Sequence, residues 1–325
     1  MPMRVSLIVT VKNEAPTMRA FLDSVAAQTR QPDEMVVVDG GSSDATPAIV
    51  QGYPGLPIRF EHYPGNIASG RNRAISLATG EFIAVTDAGC VLDAHWLERI
   101  TSLADECGEA DVVVGGYAAV VESLFDACQY SLHNLFRSDA SISSFAISSR
   151  SIAFRKEVWQ ELGGYPEWLD FSEDTYFHNA IRDSRFRMRM ERGAVVYWRL
   201  RPGYRAIFRQ FYRYMRGDGM ARQHTLRHLL RLAAYGAGFA LLGLSVAHPV
   251  FLLPFLLGVG LYMTQPIRNF RRLNRYPLDA RALGMLYALL LVMDAGKICG
   301  YLAGLAARPA KPAGPAGCGG AGRKT

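Results

Sequence analysis

The chain has 325 residues, half of them hydrophobic and a fifth charged, so it is neither disordered nor collagen-like and has material for one domain of about 200–250 residues plus an appendage. Five cysteines, an odd number with no paired C-x-x-C spacing, argue against a disulfide framework or a zinc module and predict reduced thiols in a domain facing the cytosol. The net charge of +7 hides an acidic stretch over 1–184 (13 Lys/Arg against 25 Asp/Glu), an arginine belt over 185–231 (13 Arg against Glu191 and Asp218) and a last part over 232–325 with ten basic residues against two acidic. This is not the even basic surface of a nucleic-acid binder, and no nucleic-acid partner is expected.

In chain order, 5–11 is an apolar, β-branched run suited to a buried parallel strand, and its place at the start predicts that no secretory signal precedes it. Helical spacing follows over 16–28 (Met18, Phe21, Leu22, Val25). A second strand is predicted over 34–39, stopped by Gly40-Gly41, and Ser42-Ser43-Asp44 offers helix caps. A short strand is predicted at 58–60, a helix over 69–78, a strand over 81–87 and a helix over 94–104. Strands alternating with helices imply an α/β domain with a mostly parallel sheet, whose ligands bind beyond the carboxyl ends of the strands. Asn13-Glu14, Asp39 and Asp87 all fall there. Further on, Glu173-Asp174 begins a helical pattern, and the alternation Phe186-Arg187-Met188-Arg189-Met190 predicts an edge strand with arginines outward.

The domain is taken as 1–225, with a basic interfacial segment over 185–228. There, aromatic and cationic side chains lie within helical reach of one another, as in a helix lying in a membrane interface with arginines toward anionic headgroups. Residues 232–265 contain no Asp, Glu, Lys or Arg and are interrupted by His248-Pro249, which predicts two short membrane helices at about 230–247 and 249–265 within a membrane region over 229–305. Their basic flanks place both ends on the cytoplasmic side. A third apolar run, 282–305, holds Asp294 and Lys297 three apart on one face and either spans or lies re-entrant against the others. The Gly/Pro/Ala-rich tail over 306–325 is expected to be disordered.

The order of motifs resembles the family-2 glycosyltransferases, which have the GT-A nucleotide-sugar-binding fold. The matching pieces are the strand ending Lys12-Asn13-Glu14, the turn Asp39-Gly40-Gly41-Ser42-Ser43-Asp44, Arg71-Asn72, Thr86-Asp87-Ala88-Gly89-Cys90, Gly163-Gly164-Tyr165-Pro166-Glu167 and Ser172-Glu173-Asp174. The resemblance covers roughly residues 3–225 and leaves out the membrane segments. It implies an inverting transferase that moves a sugar from a nucleotide-diphosphate donor, a UDP-sugar by expectation, to a lipid-linked or cell-envelope glycan acceptor. The expected setting is a multi-pass membrane protein with its catalytic domain in the cytoplasm, in contact with anionic lipid headgroups.

The resemblance also assigns residues. Asp39 is implied in nucleobase binding, with Thr10, Val11 and Glu14 lining the same pocket; the other reading of Asp39 is a carboxylate that only stabilises a βα turn. Arg71, at a helix start, suits the diphosphate. Asp87 is the implied ligand of a divalent cation, Mg²⁺ or Mn²⁺, across the sugar diphosphate. The family's Asp-x-Asp is departed from here, because Gly89 stands at the second acidic position. Either Asp87 with phosphates and water holds the metal, or the metal is bound differently. Asp174 matches the catalytic base, which would take the proton of the attacking acceptor hydroxyl. Glu173, Gln210, Arg213 and Tyr214 are implied near acceptor and diphosphate, the last three resembling the family's Gln-x-x-Arg-Trp with Tyr in place of Trp. The alternative is a catalytically degenerate nucleotide-sugar or lipid-binding protein of the same fold, for which Gly89 is the support.

Overall fold

The computed structural model describes residues 3–105, 110–133, 147–273 and 275–307. Most of the expected tail therefore lies outside the described residues. The chain runs β1 (Val5–Val11), α1 (Ala15–Ala26), β2 (Glu34–Asp39), α2 (Thr46–Gln51), β3 (Ile58–His62), α3 (Ile67–Leu77), β4 (Phe82–Asp87), β5 (Cys90–Leu92) and α4 (Trp96–Asp105). Then follow β6 (Val112–Val120), α5 (Leu124–Leu132), β7 (Ile152–Arg155), α6 (Lys156–Leu162), α7 (Glu173–Arg182), β8 (Met188–Arg199) and α8 (Tyr204–Ala221). Last come α9 (Thr225–Ala247), a short 3₁₀ turn at Pro249–Phe251, α10 (Leu252–Leu273) and α11 (Ala280–Ala306).

Eight strands form one sheet in the order β3-β2-β1-β4-β7-β6-β8-β5. The first four are parallel, β7 is antiparallel to β4 and to β6, β8 is parallel to β6, and β5 is antiparallel to β8. Continuous apolar runs make this possible: every residue of β1 except Thr10 is buried, as is all of β2 beyond Glu34. The mixed sheet with its flanking helices matches the GT-A fold. The expected edge strand at 186–190 proves to be the start of the twelve-residue β8. Met188–Glu191 pairs with β6 on one side, while β5 covers only Val196–Trp198 on the other, so β8 is interior at its far end. A register shift between Gly115 and Gly116 separates these two halves.

Among the described residues, three helices are long and apolar enough to cross a membrane: α9, the 3₁₀ turn with α10, and α11. Exposed Leu226, Leu229, Leu230, Phe239, Leu253 and Leu257 on α9 and α10 have no protein to cover them. α11 is more enclosed. Ala282, Leu286, Leu289 and Met293 pack with Cys128 of α5, Ile207 of α8 and Phe270 of α10. Asp294 and Lys297 pair at 2.9 Å as their spacing anticipates, and Asp294 also meets Arg231 (3.5 Å) and Tyr235 (3.1 Å) of α9 and Tyr262 of α10. A fully buried carboxylate satisfied by three helices bolts them together.

α11 carries Gly296, Gly300 and Gly304 at four-residue spacing. A Cβ at Gly300 would overlap the carbonyl oxygen of Tyr212, one at Gly304 that of Arg216, and one at Gly296 would lie 2.8 Å from that of Phe208. α8 thus rests backbone to backbone in a groove of glycines, and Gly219 of α8 lies as close to Tyr301.

Candidate functional site

The sheet register assembles the strand-end residues. Thr10 stands opposite Val38 on one side and Asp87 on the other, and Val11 stands opposite Asp39. The carboxyl ends of β1, β2 and β4 thereby open into a cleft of about 1900 Å³. Thr10, Val11, Glu14, Arg71, Asp87, Glu173, Asp174, Gln210, Arg213 and Tyr214 all line it; Asp39 does not.

Asp39 is fully buried beneath the turn that follows β2. Its Oδ1 accepts hydrogen bonds from Ser42 N–H (3.1 Å) and Ser42 Oγ (2.5 Å), and its Oδ2 from Ser42 N–H (3.1 Å) and His62 Nδ1 (2.8 Å). Burial alone would raise its pKa, but these bonds outweigh it and hold the carboxyl below its ordinary value. Three donors, the Ser42 N–H shared between both oxygens, the Ser42 hydroxyl and the His62 ring, hold this carboxylate in place. The neighbouring loops are stitched together: Ser42 Oγ accepts from Asn13 N–H, Asn13 Oδ1 accepts from Ser43 N–H, and Asp44 accepts from Thr46 and from Ala15 N–H. Asp44 is a cap.

Arg71 is placed by α3. Gly70 lets this helix approach β1 so closely that a Cβ there would stand 3.0 Å from Thr10 Cγ2. The guanidinium that follows is buried; Nη1 donates to Glu173 Oε1 at 2.6 Å and Nη2 to Asp87 Oδ1 at 2.9 Å, with the Tyr165 ring 5.3 Å away. Arg71 therefore ties the end of β4 to the start of α7, reaching a partner 102 residues along the chain in Glu173. Its neighbour Asn72 fixes the loop before α7: Oδ1 accepts from Trp159 Nε1 and Tyr165 N–H, and Nδ2 donates to the Tyr165 carbonyl. The Arg71-Asn72 and Gly163–Glu167 motifs, far apart in sequence, are two halves of one contact. Replacing Arg71 by Met would leave Glu173 buried without its partner. We expect a loss of roughly 3–5 kcal/mol, read as a lowered unfolding midpoint in detergent.

Glu173 and Asp174 open α7 and differ in exposure. Glu173 is buried against Arg71; burial and the adjacent Asp174 carboxylate push its pKa up, while Arg71 pulls it down. Asp174 is half-buried and faces the cleft, its Oδ1 accepting from Thr175 N–H at 2.7 Å. Ser172, just before the pair, sits at φ 61°, a left-handed conformation strained for serine. Its Oγ donates to the Tyr214 carbonyl of α8 at 2.7 Å, and Gly217 of α8 admits the Phe171 carbonyl where a Cβ would overlap it. α8 thus clamps the backbone that presents the two acids. Along its cleft side Gln210 donates to Tyr214 Oη (3.2 Å), and Arg213 lies 5.5 Å from the Phe171 ring.

The resemblance places residues 148–155 beside the acceptor pocket without giving them a role, and Arg150 stands in the cleft. Its Nε lies 3.7 Å from Asp87 Oδ2, and its guanidinium lies 5.5 Å from the Trp198 ring centroid. The available signal was a lone cation in the polar run Ser148-Ser149-Arg150-Ser151 just ahead of an apolar strand.

The residues present offer a divalent cation less than an Asp-x-Asp pair would. Position 89 brings no carboxylate, and Asp87 already has Arg71 on Oδ1 and Arg150 on Oδ2. The buried Cys90 thiol is pushed up to about 12, chiefly by burial and then by Asp87, so it stays protonated. Among the described residues, no group of three His, Cys, Asp or Glu is arranged to hold a metal ion.

Residues 6–157 match the profile of the family described as Glycosyl transferase family 2. EpsH of Bacillus subtilis (strain 168) is 35% identical over 121 residues, 36% of this chain and 35% of that protein. Glycosyltransferase AglE of Haloferax volcanii is 26% identical over 215 residues, 64% of this chain and 70% of that protein. The match thus spans about a third of EpsH and more of AglE. Among solved structures, the mannosyltransferase PcManGT from Pyrobaculum calidifontis, in complex with GDP-Man and Mn²⁺, superposes with a TM-score of 0.62 at 22% identity, covering 90% of this chain and 87% of that one. At this identity the likeness speaks for the fold. The family profile over residues 6–157, these relatives and the strand-end cleft point the same way: that part of the chain resembles the family-2 glycosyl transferases, and three apolar helices follow the GT-A domain.

Proposed function

We propose that this protein is an inverting glycosyltransferase that moves a sugar from a nucleoside-diphosphate donor, a UDP-sugar in our reading, to a hydroxyl or phosphate of a lipid-linked or envelope-glycan acceptor at a membrane. The observation that carries the reading is the ion-paired chain Asp87–Arg71–Glu173, which sets Asp174 at the open side of one cleft beyond the strand ends. The nucleotide would lie over Thr10, Val11 and Glu14, where backbone and side-chain groups of β1 face the cleft. Glu173, engaged by Arg71, holds position. Asp174 is the base: its carboxylate takes the acceptor proton, the acceptor oxygen bonds to the anomeric carbon, and the carbon–oxygen bond to the diphosphate breaks on the opposite face. Gln210, Arg213 and Tyr214 line the acceptor side.

The cleft also reaches His224 and Arg227 at the start of α9, so it runs toward the helices proposed to enter the bilayer. Basic flanks on both sides of the α9–α10 hairpin support a cytoplasmic catalytic domain, where nucleotide sugars are made. The test of the donor is thermal unfolding of the purified protein with UDP-glucose, UDP-N-acetylglucosamine and GDP-mannose. One of them is expected to raise the midpoint, because a ligand at 100 times its Kd stabilises by about 2.7 kcal/mol. No shift with any of them sinks the donor reading. For the membrane, extraction is expected to require detergent; release by high salt alone would refute integral insertion.

A further inference from the structure

We propose that Arg150 stands in for a divalent cation, gripping the donor diphosphate and neutralising the leaving group as the sugar departs. The inference deepens the nucleotide-sugar reading and rests on it. An Asp-x-Asp pair would offer two carboxylate groups to hold a divalent cation, which would neutralise the diphosphate. Here the second carboxylate is Gly89, and a Cβ built at that position meets only Glu14 Oε2, at 3.8 Å. On the other side of Asp87 stands a guanidinium. Arg150 Nε lies 3.7 Å from Asp87 Oδ2, Arg150 Nη1 donates to Ser148 Oγ at 3.3 Å, and its plane is backed by Trp198. Its side chain remains a quarter exposed, toward the cleft that Asp174 also lines.

This arrangement gives the carboxylate a new task. Asp87, instead of ligating a metal, fixes two arginines: Arg71, which is turned inward to Glu173, and Arg150, which faces the cleft. Arginine suits the exchange, since its planar fork matches two phosphate oxygens at once and it stays charged at any working pH. Burial works against that charge, and the nearby carboxylates of Asp87 and Asp174 favour it. In the transfer, the acceptor hydroxyl loses its proton to Asp174 and its oxygen bonds to the anomeric carbon. The bond from that carbon to the phosphate oxygen breaks, and its electron pair goes to the diphosphate, which gains one negative charge. A fixed cation beside that oxygen stabilises the charge as it forms.

The experiment measures binding of UDP, GDP and uridine to the full-length protein in detergent by calorimetry, in EDTA and in Mn²⁺, for the wild type, Arg150→Gln, Arg150→Lys and Gly89→Asp. One diphosphate is expected to bind the wild type with an affinity that changes less than about threefold between EDTA and Mn²⁺. Arg150→Gln is expected to weaken it by about 10- to 100-fold and Arg150→Lys by less, with uridine unaffected by either. Gly89→Asp, for which the backbone leaves room, is expected to gain a dependence on Mn²⁺ that the wild type lacks. Unfolding midpoints within a few degrees of wild type certify that the variants are folded. Wild-type diphosphate binding that collapses in EDTA, or that survives Arg150→Gln unchanged, overturns the proposal. Failure of the wild type to bind either diphosphate under both conditions overturns the donor reading itself.

Discussion

Asp174→Asn is expected to reduce sugar transfer by about 10²- to 10⁴-fold while nucleotide affinity stays within about twofold of wild type. Asparagine keeps the shape of the side chain and an oxygen that can still accept the Thr175 N–H bond, so the start of α7 is preserved. What it loses is the basicity needed to take the acceptor proton. The adjacent acid gives the opposite signature. Glu173→Gln disturbs the buried ion pair with Arg71 and should lower the unfolding midpoint and donor affinity together. Turnover with a radiolabelled nucleotide sugar, measured beside diphosphate binding on the same preparations, separates the two. Full turnover by Asp174→Asn would move the base to another residue.

The second large effect lies away from the chemistry. Gly300→Val is expected to dislodge α8 from α11, because the Tyr212 carbonyl oxygen occupies the place its Cβ would take. Relieving that overlap requires the helices to part, at a cost of about 1–3 kcal/mol or more. The damage should propagate. α8 also holds the Ser172 side chain through the Tyr214 carbonyl and receives the Phe171 carbonyl at Gly217, so a shifted α8 releases the strained turn that presents Glu173 and Asp174. Transfer activity and the unfolding midpoint should fall together. Gly243→Val is the control: a Cβ at Gly243 has nothing within 4 Å, and this variant should match the wild type in both measurements.

Much of this architecture was legible in the sequence because local pattern and global fold agreed. The β-branched runs of β1, β2 and β4 have no other good use than a covered parallel sheet, and their ends place Thr10 and Asp87 in register. The uncharged stretch around His248-Pro249 announced the α9–α10 hairpin, and the Asp294–Lys297 spacing announced a pair. Strands β5, β6 and β7 were not read. β5 has three residues, β7 has four, and the Gly115-Gly116 pair inside β6 looks like a turn until its role as a register shift is seen. The cleft was harder because its electrostatics are relations between distant residues. Nothing local tells that the Arg71 guanidinium would be consumed by two carboxylates, that Ser42 and His62 would close over Asp39, or that Arg150 would lean on a tryptophan 48 residues later.

The glycine seam between α8 and α11 has a mechanical consequence. A helix that touches another through its backbone has almost no slack, and the same helix is pinned at Phe171 and Ser172. If α11 is seated in lipid, the height of Asp174 above the bilayer becomes a fixed dimension of the molecule, unlike the adjustable reach of a catalytic head on a loose tether. Such an enzyme would work as a gauge, serving acceptors whose reactive oxygen projects to that one level and passing over those that stand too short or too tall.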